Sequence, residues 1–192
     1  MNKAVFLDRD GVINPLVYNL ATKEYESPHC PKDFSIFPNV VKALRRLINQ
    51  EYYLFVVSNQ PSYAKGKTTL ENIQAIEQLL KVYFEENDLQ IEKYYYCYHH
   101  PNGIVPEYSI QCKCRKPGTA FPEDAVSKYN LCAESSWFVG DRDLDIKCGK
   151  TMNMRTILIE NEHSAKNAGK ETPDAYASDI LEAVTKIVER EQ

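Results

Sequence analysis

Short runs that are apolar from end to end recur along this chain, and each breaks off into polar or charged residues. Ala4-Val5-Phe6-Leu7 stops at Asp8, Tyr53-Leu54-Phe55-Val56-Val57 at Ser58, and Trp137-Phe138-Val139 at Gly140-Asp141. A strand with no polar face must be covered on both sides, which a parallel sheet between layers of helices provides. The intervening segments supply the helices. Val40, Val41, Leu44, Leu47 and Ile48 keep a helical period after Pro38, and Leu70, Ile73, Ile76, Leu80, Tyr83 and Phe84 keep one over residues 70–84. Thr68 and Glu71 form a capping-box pattern where that helix starts. Further helices are expected around residues 121–129 and 144–150, with Ile180, Leu181, Val184, Ile187 and Val188 closing the chain. Lys93 to Tyr96 and residues 156–159 complete the strands. The fold class is therefore α/β, and ligands of such sheets bind outside the carboxyl ends of the strands.

With 192 residues and a hydrophobic fraction of 43%, the chain is long enough for one core, so a single domain over residues 1–192 is expected. Acidic residues outnumber Lys and Arg by 27 to 23, and the formal charge of −4 argues against a nucleic-acid partner. No apolar run approaches the roughly 20 residues of a membrane helix, and the N-terminal run ends at Asp8 before it resembles a signal peptide. A cytoplasmic protein with no membrane partner is expected. In that compartment six cysteines point to metal ligation or burial rather than disulfides. Cys30, Cys132 and Cys148 stand alone and read as small buried hydrophobes.

The strand ends carry the chemistry. Asp8 and Asp10, two apart in an extended segment, face one side, and Gly11 lets the backbone turn away. Two carboxylates so close repel unless a divalent cation holds them. Alone, this pair is no more than an acidic turn. Ser58-Asn59-Gln60 offers donors for a phosphoryl oxygen, though the same residues form turns. Acidic groups return at Gly140-Asp141-Arg142-Asp143-Leu144-Asp145, where Asp143 alone would read as a helix cap. Arg115-Lys116 adds cations suited to phosphate. Together these parts describe phosphoryl transfer, and no Walker loop accompanies them.

Cys97-x-His99 and, after twelve residues, Cys112-x-Cys114 supply three thiolates and one imidazole, a closed set for structural zinc, with His100 as the alternative imidazole. The residues between the two pairs include no Lys or Arg, which disfavours a nucleic-acid zinc knuckle. Zinc bound to loop 97–116 would fix Arg115 and Lys116 beside Cys114.

The order Phe6-Leu7-Asp8-Arg9-Asp10-Gly11, Ser58-Asn59-Gln60, Lys116 and Gly140-Asp141 through Asp145 resembles the haloacid dehalogenase superfamily of aspartate-nucleophile phosphatases. The zinc loop with Arg115-Lys116-Pro117 is similar to its heptose 1,7-bisphosphate phosphatase and histidinol-phosphate phosphatase subgroup. The resemblance implies a Rossmann-like three-layer sandwich with a minimal cap. It implies Asp8 as nucleophile and Asp10 as general acid and base. Mg2+ would sit on Asp8, Asp141 and the Asp10 carbonyl, with Asp145 in support, and structural Zn2+ on Cys97, His99, Cys112 and Cys114. Ser58 and Lys116 would hold the transferring phosphoryl group, with Asn59, Gln60, Arg115 and Arg142 around the substrate. The substrate implied is a small sugar phosphate, a heptose 1,7-bisphosphate losing its C7 phosphate on the way to nucleotide-activated heptose for a surface glycan. Histidinol phosphate is the alternative substrate, a non-catalytic zinc-stabilised phosphate-binding module the alternative of another class, and a monomer the expected state. Pro61, Tyr63 and Lys65 depart from the usual pattern after the second strand, and residues 15–33 match no part of it.

Overall fold

The computed structural model describes residues 1–190. Strand β1 (Lys3–Leu7) leads into β2 (Val17–Asn19) and β3 (Glu24–Glu26), followed by α1 (Val40–Asn49), β4 (Tyr52–Asn59), α2 (Leu70–Glu86) and β5 (Lys93–Cys97). Helix α3 (Ala120–Tyr129), β6 (Trp137–Gly140), α4 (Asp143–Thr151), β7 (Arg155–Ile159), β8 (Ala175–Ala177) and α5 (Ile180–Glu189) complete the order. Six strands form one parallel sheet in the order β5-β4-β1-β6-β7-β8.

Strand β1 is central, and the chain builds outward from it first to one side and then to the other. That reversal leaves a crevice at the carboxyl ends of β1, β4 and β6. The register brings the motifs level there: Leu7 pairs with Val56 and with Val139, so the segments that follow all emerge at one edge.

Successive strand residues serve opposite faces. Val5, Leu7, Leu54 and Val56 pack with α1, α5 and Leu80 and Phe84 of α2. Ala4, Phe6, Phe55, Val57 and Phe138 pack with Ala125 of α3 and Cys148 of α4. Phe6 stacks on both Phe55 and Phe138, with centroids 5.0 and 6.0 Å away. This is the three-layer α/β sandwich expected from the apolar runs. No helix among the described residues is long and apolar enough to cross a membrane.

Several local features differ from expectation. The cap of α2 is Thr69, whose hydroxyl accepts from the Asn72 amide at 3.2 Å. Thr68 instead donates its hydroxyl to the His29 carbonyl, tying in the segment before α1. Asp143 lies inside the first turn of α4, and its carboxylate accepts from the Lys170 and Glu171 amides rather than capping the helix. Of the three solitary cysteines only Cys148 is fully buried; Cys30 and Cys132 are half-buried, with thiols directed at Asp33 and Glu134. Strands β2 and β3 form an antiparallel hairpin within residues 15–33. Hairpin and β8 escape sequence reading because three-residue strands show too little alternation.

Candidate active site

Asp8 leaves the end of β1, and the Arg9 amide donates to its Oδ1 at 2.7 Å. Lys116 reaches the same oxygen at 2.9 Å, Asp145 Oδ1 at 2.6 Å and the Val57 carbonyl at 2.6 Å. All three ammonium protons are thus placed on oxygen, and the lysine is only 2% exposed. Burial alone would lower its pKa, but Asp145 and Asp8 overcome that and raise it. Asn59 fixes the backbone that carries the lysine: its Oδ1 accepts from the Lys116 amide at 3.0 Å, and its Nδ2 donates to the Lys116 carbonyl at 3.1 Å.

Asp8, Asp141 and Asp145 each place a carboxylate oxygen within 4.8 Å of the others. Gly11, with φ +87°, makes this approach possible, because a Cβ there would stand 2.2 Å from Asp141 Oδ2. Gly140 does the same for Asp145, whose Cβ lies 2.2 Å from where an added methyl would sit. Asp145 is engaged with Lys116 and with the Arg142 amide, but neither Asp141 oxygen has a hydrogen-bond partner. Burial, and then the charges of Asp8 and Asp145, push Asp141 up to about 7 against the pull of Arg142. Burial likewise lifts Asp145 to about 6 despite Lys116. Orphaned, buried carboxylate oxygens facing further carboxylates fit a hard divalent cation, which takes oxygen ligands and lowers both pKa values.

Asp10 is held by side chains. Its Oδ1 accepts from Arg9 and Asn14, and its Oδ2 from Ser27 at 2.9 Å and Gln60 at 2.6 Å. Gln60 also donates to Ser58 Oγ at 3.0 Å. Gln60 therefore bridges Ser58 and Asp10, all three buried, while Asn59, Arg115, Lys116 and Arg142 line the cleft.

The cleft encloses about 270 Å³ above Asp8 and Asp10. Sequence reading missed one wall, the β2–β3 hairpin, which contributes Glu24, Tyr25, Glu26 and Ser27. Glu26 pairs with Lys67 at 2.5 Å, Glu24 with Lys166 at 2.6 Å, and the Tyr25 ring stacks on His163 with centroids 3.6 Å apart. The hairpin is thereby fastened to the loops after β4 and β7. Lys65 completes the rim. Burial and the neighbouring cations Lys67, Arg115 and Arg142 depress its pKa.

Behind Lys116, the Sγ atoms of Cys97, Cys112 and Cys114 lie 3.1–3.6 Å apart, with His99 Nδ1 3.8 and 3.5 Å from Cys97 and Cys114. A tetrahedron with metal–sulfur bonds of about 2.3 Å has edges of about 3.8 Å, so these donors fit one ion such as zinc. His100 is outside the set; its Nδ1 accepts from the Asn102 amide. Burial raises the Cys97 thiol, and a bound cation would reverse that.

A HAD-hydrolase-like family model matches residues 113–183. The D-glycero-α-D-manno-heptose-1,7-bisphosphate 7-phosphatase of Photorhabdus laumondii is 31% identical over 97% of each chain. The D-glycero-β-D-manno-heptose-1,7-bisphosphate 7-phosphatase of Haemophilus influenzae is 29% identical, covering 99% of this chain and 98% of its own. Among solved structures, a D,D-heptose 1,7-bisphosphate phosphatase from B. bronchiseptica complexed with magnesium and phosphate superposes with a TM-score of 0.79, at 20% identity, over 98% of this chain and 99% of that one.

Proposed function

The chain belongs to the HAD-like heptose-bisphosphate phosphatases, and from that premise we propose that it removes the C7 phosphate of D-glycero-D-manno-heptose 1,7-bisphosphate. The product feeds the synthesis of nucleotide-activated heptose. One observation carries the choice of a bisphosphate: the cleft has two separate stations for anions. Lys116 stands at the deep one beside Asp8. At the rim stand Lys65 and Arg115, which have no carboxylate within ion-pair distance among the described residues, together with Arg142, whose Nε lies 3.7 Å from Asp141 without a hydrogen bond. A cation without a carboxylate partner, as Lys65 and Arg115 are, is costly, and a second phosphate relieves that cost. The imidazole of histidinol phosphate would not.

In this reading Asp8 attacks phosphorus and forms an aspartyl-phosphate, which water then releases. Asp10 gives a proton to the leaving sugar oxygen and takes one from the water. Lys116 steers Asp8 and neutralises the transferring group, with Asn59 fixing its backbone. Asp8 and Asp141 would hold magnesium with the Asp10 carbonyl, supported by Asp145, and the ion would supply charge to neutralise phosphate oxygens. One chain supplies every group, so a monomer suffices. The unbridged cysteines suit a reducing cytoplasm.

The substrate test is phosphate release, with magnesium present, from both anomers of the heptose bisphosphate and from histidinol phosphate. A strong preference for one anomer is expected. Faster release from histidinol phosphate would overturn the substrate assignment and leave the chemistry standing.

Magnesium is expected to stabilise the protein in a pH-dependent way. Asp141 and Asp145 have folded pKa values above the usual carboxylate range, so the metal-free fold binds extra protons. Its stability therefore falls as pH rises from about 4 to about 7. Magnesium must displace those protons, so at one fixed concentration the rise in Tm it causes is larger at pH 8 than at pH 5.5, the stabilisation reaching about 2.7 kcal/mol where that concentration is 100 times Kd. Thermal melts at both pH values check this, and equal shifts would contradict it.

Zinc on Cys97, His99, Cys112 and Cys114 would act on the reaction indirectly, by holding the loop that ends in Arg115-Lys116. Chelation, or Cys112→Ser, is expected to open loop 97–116 to proteolysis and reduce turnover about tenfold or more. An apoprotein with an intact, protease-resistant loop and full activity would refute that coupling.

A further inference from the structure

Arg9 stands between the two reacting aspartates, and nothing in the chemistry above uses its side chain. Yet it is 0% exposed, one of the largest fully buried side chains of the protein. A cation at that depth requires a specific partner. Its Nε and Nη2 donate to Asp10 Oδ1 at 3.2 and 3.0 Å, and Nη2 also reaches Oδ2 at 3.2 Å. Adjacent residues of a strand would point apart, but the chain leaves β1 at Leu7 and coils here. The Arg9 carbonyl accepts from the amides of Ile13 and Asn14 at 2.8 and 3.1 Å, which lets the two neighbouring side chains lie together. The guanidinium carbon also lies 5.9 Å from the centroid of the Tyr96 ring.

The two Asp10 oxygens have different surroundings. Oδ1 accepts from Arg9 and from Asn14 Nδ2 at 2.9 Å, and both donors are wholly buried. Oδ2 accepts from Gln60, from Ser27 and, at 3.2 Å, from Arg9 Nη2, and Ser27 belongs to the cleft wall. Among the partners of Oδ2 only the Ser27 hydroxyl can turn from donor to acceptor when that oxygen carries a proton.

We propose that Arg9, backed by Asn14, is the positioning residue of the acid–base step. It grips Asp10 from the buried side, with two donors on Oδ1 and a shared one on Oδ2, so that Oδ2, the oxygen joined to Ser27 of the cleft wall, is the one presented to the cleft. The inference rests on the phosphoryl-transfer reading above. In the first step the bond from phosphorus to the leaving oxygen breaks as the bond from phosphorus to Asp8 forms, and the leaving oxygen takes a proton from Asp10 Oδ2. In the second, water oxygen joins phosphorus, the bond to Asp8 breaks, and the water proton returns to Oδ2.

The test compares kcat/KM for the sugar phosphate with kcat/KM for 4-nitrophenyl phosphate in the wild type, Arg9→Met and Arg9→Lys. A nitrophenolate leaves without a proton, whereas a sugar alkoxide needs one. The parameter kcat/KM reports only the steps through the first transfer, and its ratio between substrates does not depend on the folded fraction. Arg9→Met is expected to lose about 100-fold more on the sugar ester than on the aryl ester. Arg9→Lys, which keeps the charge and loses the fork, is expected to resemble Arg9→Met. Equal losses on both substrates, or a full rescue by lysine, would overturn the proposal. If Arg9→Met fails to fold, Asn14→Ala tests the same grip, with the same direction of change in the ratio. The phosphatase reading fails separately, by a wild type that cleaves neither ester in an Asp8-dependent way.

Discussion

Asp8→Asn is expected to lower turnover by about 10⁴-fold or more while the protein melts no lower than the wild type. The amide has nearly the shape of the carboxylate, but its oxygen is a poor nucleophile and it carries no charge for magnesium. Stability responds in the other direction. Asp8 crowds Asp141 and Asp145, and its charge helps to hold both of their pKa values up. Removing that charge relieves repulsion in a buried site, while Lys116 keeps Asp145 at 2.6 Å and the Val57 carbonyl. Without magnesium, Tm should stay level or rise, by roughly 2–4 °C for each kcal/mol gained. Initial rates and thermal melts on the same preparation check both halves. Turnover near the wild-type rate would remove Asp8 from the mechanism, and a large fall in Tm would assign it a structural role instead.

Lys116→Met is expected to damage both activity and stability. The thioether fills similar space, but it leaves Asp8 and Asp145 buried without their common cation. Breaking a buried pair by removing one partner costs about 3–5 kcal/mol, which is about 6–20 °C for a chain of this size. The deficit has a pH signature. With the ammonium gone, Asp145, already raised by burial, loses the cation that pulls it down, so the lost stability is recovered as pH falls and is largest above about pH 7. Denaturation at pH 5 and pH 8 should show the deficit shrinking at the lower pH. A pH-independent deficit would indicate lost packing rather than a lost charge. Turnover should fall by about 10³-fold or more at any pH, since the transferring phosphoryl group loses its cation. Lys116→Arg should not restore it, because a longer planar group does not fit a site that is 2% exposed.

The parts of the site that could be read from sequence lie at strand ends. Apolar runs announced buried parallel strands, the fold class followed, and Asp8, Asp10, Asp141, Asp145 and Lys116 came to one crevice because a parallel sheet aligns its carboxyl ends. The Cys97, His99, Cys112 and Cys114 set was legible for another reason: ligands of one metal must sit close, and short spacings within each pair make that visible. The β2–β3 hairpin was hidden. Its two strands have three residues each, β3 carries glutamate at two of its three positions, and its contacts lie with partners far along the chain, Lys67, His163 and Lys166. Gln60 and Ser58 illustrate a different limit. Sequence identified polar groups at a strand end, but only packing decides that Gln60 turns to Asp10 and to Ser58 Oγ. The same holds for Asp145, whose contact with Lys116 joins two segments that sequence places apart.

The central claim is that Asp8 itself carries the phosphoryl group. Rapid quenching of Asp10→Asn, in which the second step lacks its base, should trap that species during turnover of a substrate labelled in the C7 phosphate. Peptide mapping is then expected to place the label on the peptide containing Asp8, and the Asp8→Asn protein should carry none. Label on another residue, or wild-type phosphate release from a protein that never becomes labelled, would contradict the account.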